Sequence, residues 1–177
     1  SDNARKLGGL ETWISSNTSR GGGSPVGSGA GGGAAPVDAG TARAFTVAML
    51  KTVIQACYSA GSDSNTIMCG PHNKTVLSGF AGREGARQMS AEKKINVAAD
   101  LFSSDFGDYK VIPNRFQRDK SAFVIDPEYW SVAYYRDFKQ EEVAKTGDAI
   151  KRALLVEFTL VSKNEASSGI IADLTTS

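Results

Sequence analysis

The chain has 177 residues, of which 41% are hydrophobic and 22% are charged, a composition typical of a globular domain with its own core. Its 20 lysine and arginine residues nearly balance 19 aspartate and glutamate residues, so the formal net charge is only +1. The sequence therefore excludes the basic field of a dedicated nucleic-acid binder, and it holds no apolar run long enough to span a bilayer.

Two cysteines, Cys57 and Cys69, lie in apolar surroundings and lack the spacing of a zinc site. We predict that they are buried free thiols in a reducing compartment. The N-terminus shows neither an initiating methionine nor a signal sequence, so we expect the chain to be a piece of a longer protein.

Residues 1–35 are predicted to form an N-terminal segment with a flexible loop. Apolar residues recur at helical spacing in residues 1–16, but Gly8-Gly9 interrupts them, which predicts a short or broken helix. Eight glycines follow in residues 17–35. No G-x-x-x-x-G-K-[ST] phosphate-binding motif is present, so we interpret this stretch as a flexible linker.

The strongest helix pattern lies in residues 36–61, with Asp38 or Thr41 as the predicted N-cap and Gly61 just past the C-terminus. Its wide apolar arc predicts packing against a sheet. A short strand at 66–69 and a second helix from Pro71 to about residue 79 should follow.

Residues 81–94 have no apolar periodicity, and we predict an exposed, mobile loop. Four of its side chains are basic, against two that are acidic: Arg83, Arg87, Lys93 and Lys94 against Glu84 and Glu92. The loop could contact a neighbouring subunit or DNA, or it could simply face water.

From residue 95 onward the pattern is typical of strands. We expect strands at 95–101, 109–112, 122–125, 129–135 and 150–162, a hairpin turn at 105–108 and a polar connection at 139–148. The strands 122–125 and 129–135 should pair with each other. The strand 150–162 should bury one face, and residues 170–174 should return alongside it.

The sequence holds few candidates for catalysis. His72 has no Cys or His companion nearby, so we interpret it as structural or exposed. The three signatures of penicillin-recognising serine enzymes occur in the wrong order, at residues 1–3, 90–93 and 145–147, which leaves Ser90 as a weak nucleophile candidate. No metal or cofactor motif is present.

Three aspartates and four aromatic residues have a structural interpretation that we favour over a functional one. Asp105, Asp108 and Asp126 stand at predicted turns, where an Asp side chain commonly accepts hydrogen bonds from nearby backbone amides. Four aromatic residues cluster near the predicted strand 129–135, and we expect them in a core or subunit interface in preference to a base-stacking platform: Tyr129, Trp130, Tyr134 and Tyr135.

Four phrases of the sequence carry a resemblance. They are A-R-K-L-G-G-L-E-T-W-I from residue 4, S-D-F-G-D-Y-K-V-I-P-N-R-F from residue 104, D-P-E-Y-W-S-V-A-Y from residue 126, and E-F-T-L-V-S-K-N-E-A-S-S-G-I-I-A-D-L from residue 157. Together they resemble the C-terminal half of tailed-bacteriophage major capsid proteins. The resemblance implies an α+β class with helices and an antiparallel sheet, in the fold that tailed-phage and herpesvirus capsids share.

The resemblance further implies an axial domain at 36–138 and C-terminal strands of a peripheral domain at 139–177. It implies a structural virion protein and not an enzyme, without cofactors or a membrane, built into hexamers and pentamers in the virion after assembly in the bacterial cytoplasm. Contact with packaged DNA would be non-specific, and this chain by itself would be monomeric or weakly associating. A serine hydrolase or acyl transferase using Ser90, and a nucleic-acid-binding module using residues 83–94, are the alternatives.

Overall fold

A computed structural model describes residues 7–22, 26–30, 36–83, 101–144 and 147–176. Its helices are α1 (Leu10–Trp13), α2 (Val47–Ser59) and α3 (Pro71–Arg83). Its strands are β1 (Asn17–Ser19), β2 (Thr66–Cys69), β3 (Leu101–Ser104), β4 (Gly107–Pro113), β5 (Ala122–Ile125), β6 (Trp130–Val143), β7 (Lys151–Ser162) and β8 (Gly169–Ile171). The predicted α+β class is confirmed. None of the helices described is long and apolar enough to cross a membrane.

Six strands form the central sheet, in the order β1-β8-β5-β2-β4-β3. The pairings β8–β5, β5–β2 and β4–β3 are antiparallel, whereas β1–β8 and β2–β4 are parallel, so the predicted antiparallel arrangement holds for only part of this sheet. The sheet is therefore mixed. It joins strands from near the start of the chain, from its middle and from near its end.

Helix α2 lies across the sheet and supplies much of the core. Its buried side chains are Leu50, Val53, Ile54 and Cys57. These pack with apolar residues of the strands and of α3, including Ile67, Leu77, Val111, Val124 and Ile171. The packing of α2 against the sheet confirms the interpretation of its wide apolar arc.

The predicted start of α2 is wrong. Thr46 is the N-cap, and its side chain accepts a hydrogen bond from the Met49 amide at 3.4 Å. Asp38 instead forms ion pairs with Arg118 at 2.6 Å and Lys120 at 3.4 Å. The predicted end is confirmed, because Gly61 follows the helix with a φ of +82°.

The opposite face of the sheet is covered less completely. Ile14 packs there with Phe123, Ile125, Ile170 and Ala172. Half-buried side chains of α1, β2 and β6 lie against this second cluster: Leu10, Met68 and Trp130. The half of this face that β3 and β4 form is more open, and Leu101 there is 58% exposed.

Three local predictions are confirmed. The strand at 66–69 is β2, and α3 begins at Pro71, a position that suits proline because the first amide of a helix has no intrahelical acceptor. β3 and β4 form the predicted hairpin, with Gly107 at a φ of +132° beside the turn. Residues 95–100, predicted to begin this strand, lie outside the described residues.

The described part of the glycine-rich stretch is not a linker. Residues 17–19 form β1, and the amide of Gly29 donates to the Thr12 carbonyl at 3.2 Å. Gly27 is buried so closely under α1 that an added Cβ would lie 2.5 Å from the Ile14 carbonyl oxygen. This glycine therefore allows a close approach of two backbones. Residues 23–25 and 31–35 of the stretch lie outside the described residues.

Two predicted strand pairings are wrong. β5 pairs with β2 and β8, not with β6, and β8 joins the central sheet and does not return along β7. β6 continues to Val143, through the first half of the predicted polar connection, and pairs with β7 in a separate two-stranded sheet. Most side chains of β7 are exposed or half-buried, so the predicted buried face is also absent from the described chain.

Candidate assembly surface

β6 and β7 form a long antiparallel ribbon, defined by residues 130–143 and 151–162, that stands apart from the central sheet. The register pairs Val132 with Leu160 and Tyr134 with Phe158 near the base, and Glu142 with Arg152 near the tip. At about 3.4 Å per residue the ribbon is about 45 Å long. Every side chain of β6 and β7 is exposed or half-buried, so within the described residues neither face of the ribbon is covered by a second layer.

One side of the ribbon, here called the apolar ribbon face, is largely apolar between its base and its tip. Directly paired residues point to the same side, so β6 and β7 contribute to it together. Its apolar members are Val132, Tyr134, Leu154, Val156, Phe158 and Leu160, and the polar Gln140 pairs with Leu154 on the same side. Leu154 is 68% exposed and Tyr134 is 53% exposed. Nothing in the described chain covers this face. Within it, the ring centroids of Tyr134 and Phe158 lie 6.0 Å apart.

The opposite side, the polar ribbon face, carries paired charges. Arg136 Nε lies 3.3 Å from Glu157 Oε2, and Lys139 Nζ lies 3.2 Å from Glu141 Oε1. Tyr135 sits where the register shifts, 82% exposed, with the Arg136 guanidinium 5.7 Å from its ring centroid. Salt-bridged side chains of this kind are well solvated, so this face is suited to water.

The base of the ribbon is anchored to the central sheet. Trp130 Nε1 donates to Ser168 Oγ at 2.8 Å, and the Lys163 amide donates to the Tyr129 carbonyl at 2.9 Å. Asp126 caps the short 3-10 turn at 127–129 by accepting a hydrogen bond from the Glu128 amide. Both strands of the ribbon therefore leave the sheet from fixed positions.

Glu165 ties the N-terminal segment to the same base. Its carboxylate accepts hydrogen bonds from the amides of Ser15 at 3.0 Å and Ser16 at 3.3 Å, and from the Ser16 hydroxyl. Burial alone raises the pKa of Glu165, but these hydrogen bonds outweigh it, so the pKa lies below its ordinary value. Asn17 Nδ2 adds a hydrogen bond to the Ala166 carbonyl at 2.6 Å.

The predicted contact loop is mostly outside the described residues. Arg83 is the last residue of α3, while Arg87, Lys93 and Lys94 lie in the part that is not described. Its role as a subunit contact stays a prediction. Ser90 and the three penicillin-enzyme signatures at 1–3, 90–93 and 145–147 likewise include residues outside the described ranges.

The other candidates occupy structural positions. His72 is half-buried in the first turn of α3, and Asp108 accepts a hydrogen bond from the Ser103 hydroxyl across the β3–β4 hairpin. Cys57 and Cys69 are free and buried, as predicted, and burial raises the pKa of their thiols to about 12 and about 11. In the described part of the chain, no group of three or more His, Cys, Asp or Glu side chains could hold a metal ion.

The ribbon was the feature that sequence reasoning missed. Two register shifts, between Tyr134 and Arg136 and between Arg136 and Lys139, interrupt the alternation of β6. The strand therefore looks polar and irregular after Tyr135. One sequence signal for the ribbon remains. Apolar residues alternate in both 130–134 and 154–160, which indicates two strands that share one apolar face.

The chain is similar in sequence and in fold to proteins of phage capsids. The sequence model of the family described as SU10 major capsid protein matches residues 1–175. The major capsid protein of Escherichia phage Phieco32 is 26% identical over 118 residues, which are 64% of this chain and 34% of that protein. A chain of the Cyanophage A-1(L) capsid asymmetric unit superposes with a TM-score of 0.52 at 14% identity, covering 81% of this chain and 49% of that chain.

These similarities test the predicted fold and the two alternative functions, a hydrolase and a nucleic-acid-binding module. The superposition shows a shared fold, which confirms the predicted capsid fold. Neither the hydrolase nor the nucleic-acid-binding alternative finds support among the similar proteins. The chain spans about a third of the length of the Phieco32 protein and about half of the cyanophage chain.

Proposed function

Because this chain belongs to the SU10 major capsid protein family, we propose that it is part of a subunit that associates with copies of itself to build a phage capsid. The observation that carries the proposal is the apolar ribbon face. Tyr134, Leu154 and Phe158 there are each about half exposed or more, at 53%, 68% and 46%. A contiguous apolar surface of this kind is typical of a site that another protein surface covers.

The shape of the ribbon favours assembly over catalysis. It offers a long, open surface with one apolar and one charged side, whereas a substrate site needs a concave pocket with convergent polar groups. An apolar strip of about 20 Å, the length of residues 154–160 of β7, suits contact with an elongated partner surface. That partner is either a neighbouring subunit or a further segment of the same protein.

The resemblance adds finer detail to this proposal. Residues 36–138 would belong to an axial domain near the five- and sixfold centres, and residues 139–177 to a peripheral domain. This boundary falls inside β6, so only part of the ribbon would belong to the peripheral domain. The pairing of β8 with β5 qualifies this division, because it returns the end of the chain to the central sheet. Copies would form hexamers and pentamers in the virion, assembled in the bacterial cytoplasm, with only non-specific contact to DNA.

A pair of charge substitutions in the full protein tests the role of the ribbon. Leu154→Arg places a cation on the apolar ribbon face, and Thr159→Arg places the same group on the polar ribbon face. We expect wild type and Thr159→Arg to form capsid-sized particles in sedimentation and electron microscopy, and Leu154→Arg to remain as small species. Circular dichroism of the two variants controls for folding.

Assembly of Leu154→Arg at the wild-type yield would show that the apolar ribbon face is not a contact. A full protein that stays monomeric under every assembly condition would contradict the capsid function itself.

We also expect no acyl-transfer activity. An acyl probe that labels wild type but not Ser90→Ala would establish an enzyme instead.

A further inference from the structure

The half of the second sheet face that β3 and β4 form is an uncovered surface, here called the open β3–β4 face. Directly paired residues point to the same side, so Leu101 of β3 lies beside Lys110 of β4. Ile112 lies beside Met68 of β2 on that side. Leu101 is 58% exposed and Ile112 is 38% exposed, so no described element covers this part of the sheet.

Phe116 extends the open β3–β4 face beyond the end of β4. Its ring is 91% exposed, and it borders a cleft of about 300 Å³ whose other lining residues include Met68 and Phe123 of the same sheet face. The Asn114 amide donates to the Cys69 carbonyl at 2.9 Å, and the Phe116 amide donates to Asn114 Oδ1 at 3.0 Å. The ring therefore projects from an ordered loop, and a contact that uses it costs little additional conformational entropy.

The open β3–β4 face has a charged end and an apolar end. Asp108 and Lys110, both exposed, stand on it near the hairpin turn. Ile112 and then Phe116 follow towards the other end. At about 3.4 Å per residue, the stretch from Asp108 to Ile112 is about 14 Å long.

The apolar ribbon face has the same order of charged and apolar residues. Glu142 and Arg152 lie opposite each other near the ribbon tip, on the same side as the apolar members. Tyr134 and Phe158 lie about 20 Å further towards the base. Among the described residues, Lys110, Glu142 and Arg152 have no ion-pair partner. Both surfaces thus present charges of both signs at one end and exposed aromatic rings at the other.

We propose that the apolar ribbon face of one copy packs on the open β3–β4 face of a neighbouring copy, sheet against sheet. Two such faces pack about 10 Å apart. Glu142 then faces the neighbour's Lys110, Arg152 faces the neighbour's Asp108, and the ribbon's aromatic rings meet the neighbour's Phe116. The proposal rests on the proposed function, because it names the surface that covers the apolar ribbon face.

This contact joins two different surfaces, so neighbouring copies meet head-to-tail. The two surfaces do not meet within one copy, because the ribbon leaves the sheet beside β5 and β8, whereas β3 is the edge strand on the far side of β2 and β4. Each copy therefore uses one surface for each of two neighbours, and such contacts close into a ring when the rotation between copies allows it. A ring of this kind agrees with the proposed five- and sixfold centres. Two strands on each side make a small contact, which repetition around a ring and a shell makes sufficient.

An exchange of charges tests the contact in the full protein. Lys110→Glu and Glu142→Lys each bring like charges together, so each should weaken self-association in sedimentation by roughly tenfold. The double variant restores an opposite pair and should associate nearly as tightly as wild type. Both side chains are exposed within one copy, so the melting temperature should change little. Glu141→Lys, on the polar ribbon face, is the matched control and should leave association unchanged.

Cross-linking tests the head-to-tail arrangement. Leu154→Cys and Ile112→Cys are combined in one chain, and the full protein is treated with a bifunctional thiol reagent that spans about 10 Å. Each copy then has one reactive residue on each surface, so we expect covalent chains longer than a dimer. Either substitution alone should give only monomers in a denaturing gel. Cys57 and Cys69 are buried and should not react.

Four results would overturn the proposal. The double charge variant could associate as weakly as the single ones, or the single ones as tightly as wild type. The doubly substituted chain could give no species beyond a dimer, or Leu154→Cys alone could cross-link, which would show that two ribbons meet each other. Shells that form in any of these cases leave the capsid function standing, whereas a wild type that never self-associates contradicts the contact and the capsid function together.

Discussion

At the scale of single residues, Asp173 is a buried junction between distant parts of the chain. Its carboxylate accepts hydrogen bonds from the amides of Gly21 and Ala39, each at 2.7 Å, and the residue is 1% exposed. Its φ of +59° lies in the left-handed region that most side chains avoid. Arg43 binds the neighbouring Ala172 carbonyl and the Ser19 hydroxyl, which joins the same three segments.

Substitution of Asp173 should therefore destabilise the fold. Asp173→Ala leaves two amides without an acceptor and places alanine in a left-handed conformation, so we expect a loss of about 2–4 kcal/mol in the free energy of unfolding. Asp173→Asn tolerates this φ and keeps one acceptor, so its loss should be about half as large. Urea unfolding measures both. Equal losses would show that the acceptor and the φ preference do not matter.

Glu165 should give the fold a dependence on acidic pH. Its folded-state pKa lies below the ordinary value of 4.5, so its contribution is fully present above that value. The contribution is lost as the pH falls through the lower folded-state pKa, because the proton then displaces the hydrogen bonds from Ser15 and Ser16.

Unfolding of wild type and Glu165→Gln at a series of pH values tests this. The difference in stability between them should be constant near neutral pH and should shrink below pH 4.5. A difference that does not change with pH would show that the charge on Glu165 contributes nothing.

At the scale of elements, α2 and β8 approach each other very closely at Gly169. An added Cβ there would collide with Val53 Cγ1 and would lie 3.0 Å from Cys57 Sγ and from the Asn17 carbonyl oxygen. Glycine thus sets the distance between this helix and the central sheet. The burial of Val53 and Cys57 in the core depends on that distance.

Two glycine-to-alanine substitutions should have opposite effects. Gly169→Ala forces α2 away from β8, and we expect it to lower the free energy of unfolding by about 1–3 kcal/mol. Gly79→Ala meets no atom within 4 Å and lies inside α3, so it should raise stability by about 0.5–1 kcal/mol. Thermal unfolding compares the two. A neutral Gly169→Ala would mean that α2 can shift without loss.

The elements also show what the sequence could predict. β2, the start of α3 and the β3–β4 hairpin depend on local signals, namely a β-rich run, a proline and a turn, and they were predicted. The partners of β5 and β8 depend on residues far along the chain, which no local pattern identifies. The start of α2 was misplaced because Asp38 resembles a cap but is used in ion pairs with Arg118 and Lys120.

The candidate site also combines features that local sequence signals predict with features that depend on contacts between distant parts of the chain. Exposed apolar residues of β7 are visible in the sequence, but alternation predicts only that they share a face, not that the face is left open. The register shifts in β6 hide its partner strand. A cleft lies between α1 and the loop 114–121. It exists only after the folded sheet has brought these two distant segments together.

At the scale of the whole molecule, the described chain combines a packed body with an extended ribbon. β2 lies between β5 and β4 beneath α2 and α3, whereas β6 pairs, among the described residues, only with β7. Stability should therefore differ between these parts, because the ribbon buries few apolar side chains.

Hydrogen exchange of the isolated chain should separate the two parts. We expect amides of β6 and β7 beyond the ribbon base to exchange much faster than those of β2 and β5, and to slow in the assembled capsid when the apolar ribbon face is covered. Equal protection of ribbon and sheet in the isolated chain would contradict this division.

The pairing of β1 with β8 has a consequence for how the protein is made. Thr18 pairs with Ile170, and Ser15 binds Glu165, across 150 residues of sequence. A ribosome adding roughly 5–20 residues per second needs about 8–30 seconds to synthesise that interval. Throughout that time the newly made β1 has no strand to pair with. Folding of the sheet must therefore finish after translation of this stretch. On the proposed capsid function, a subunit that is still being synthesised could not yet join a shell.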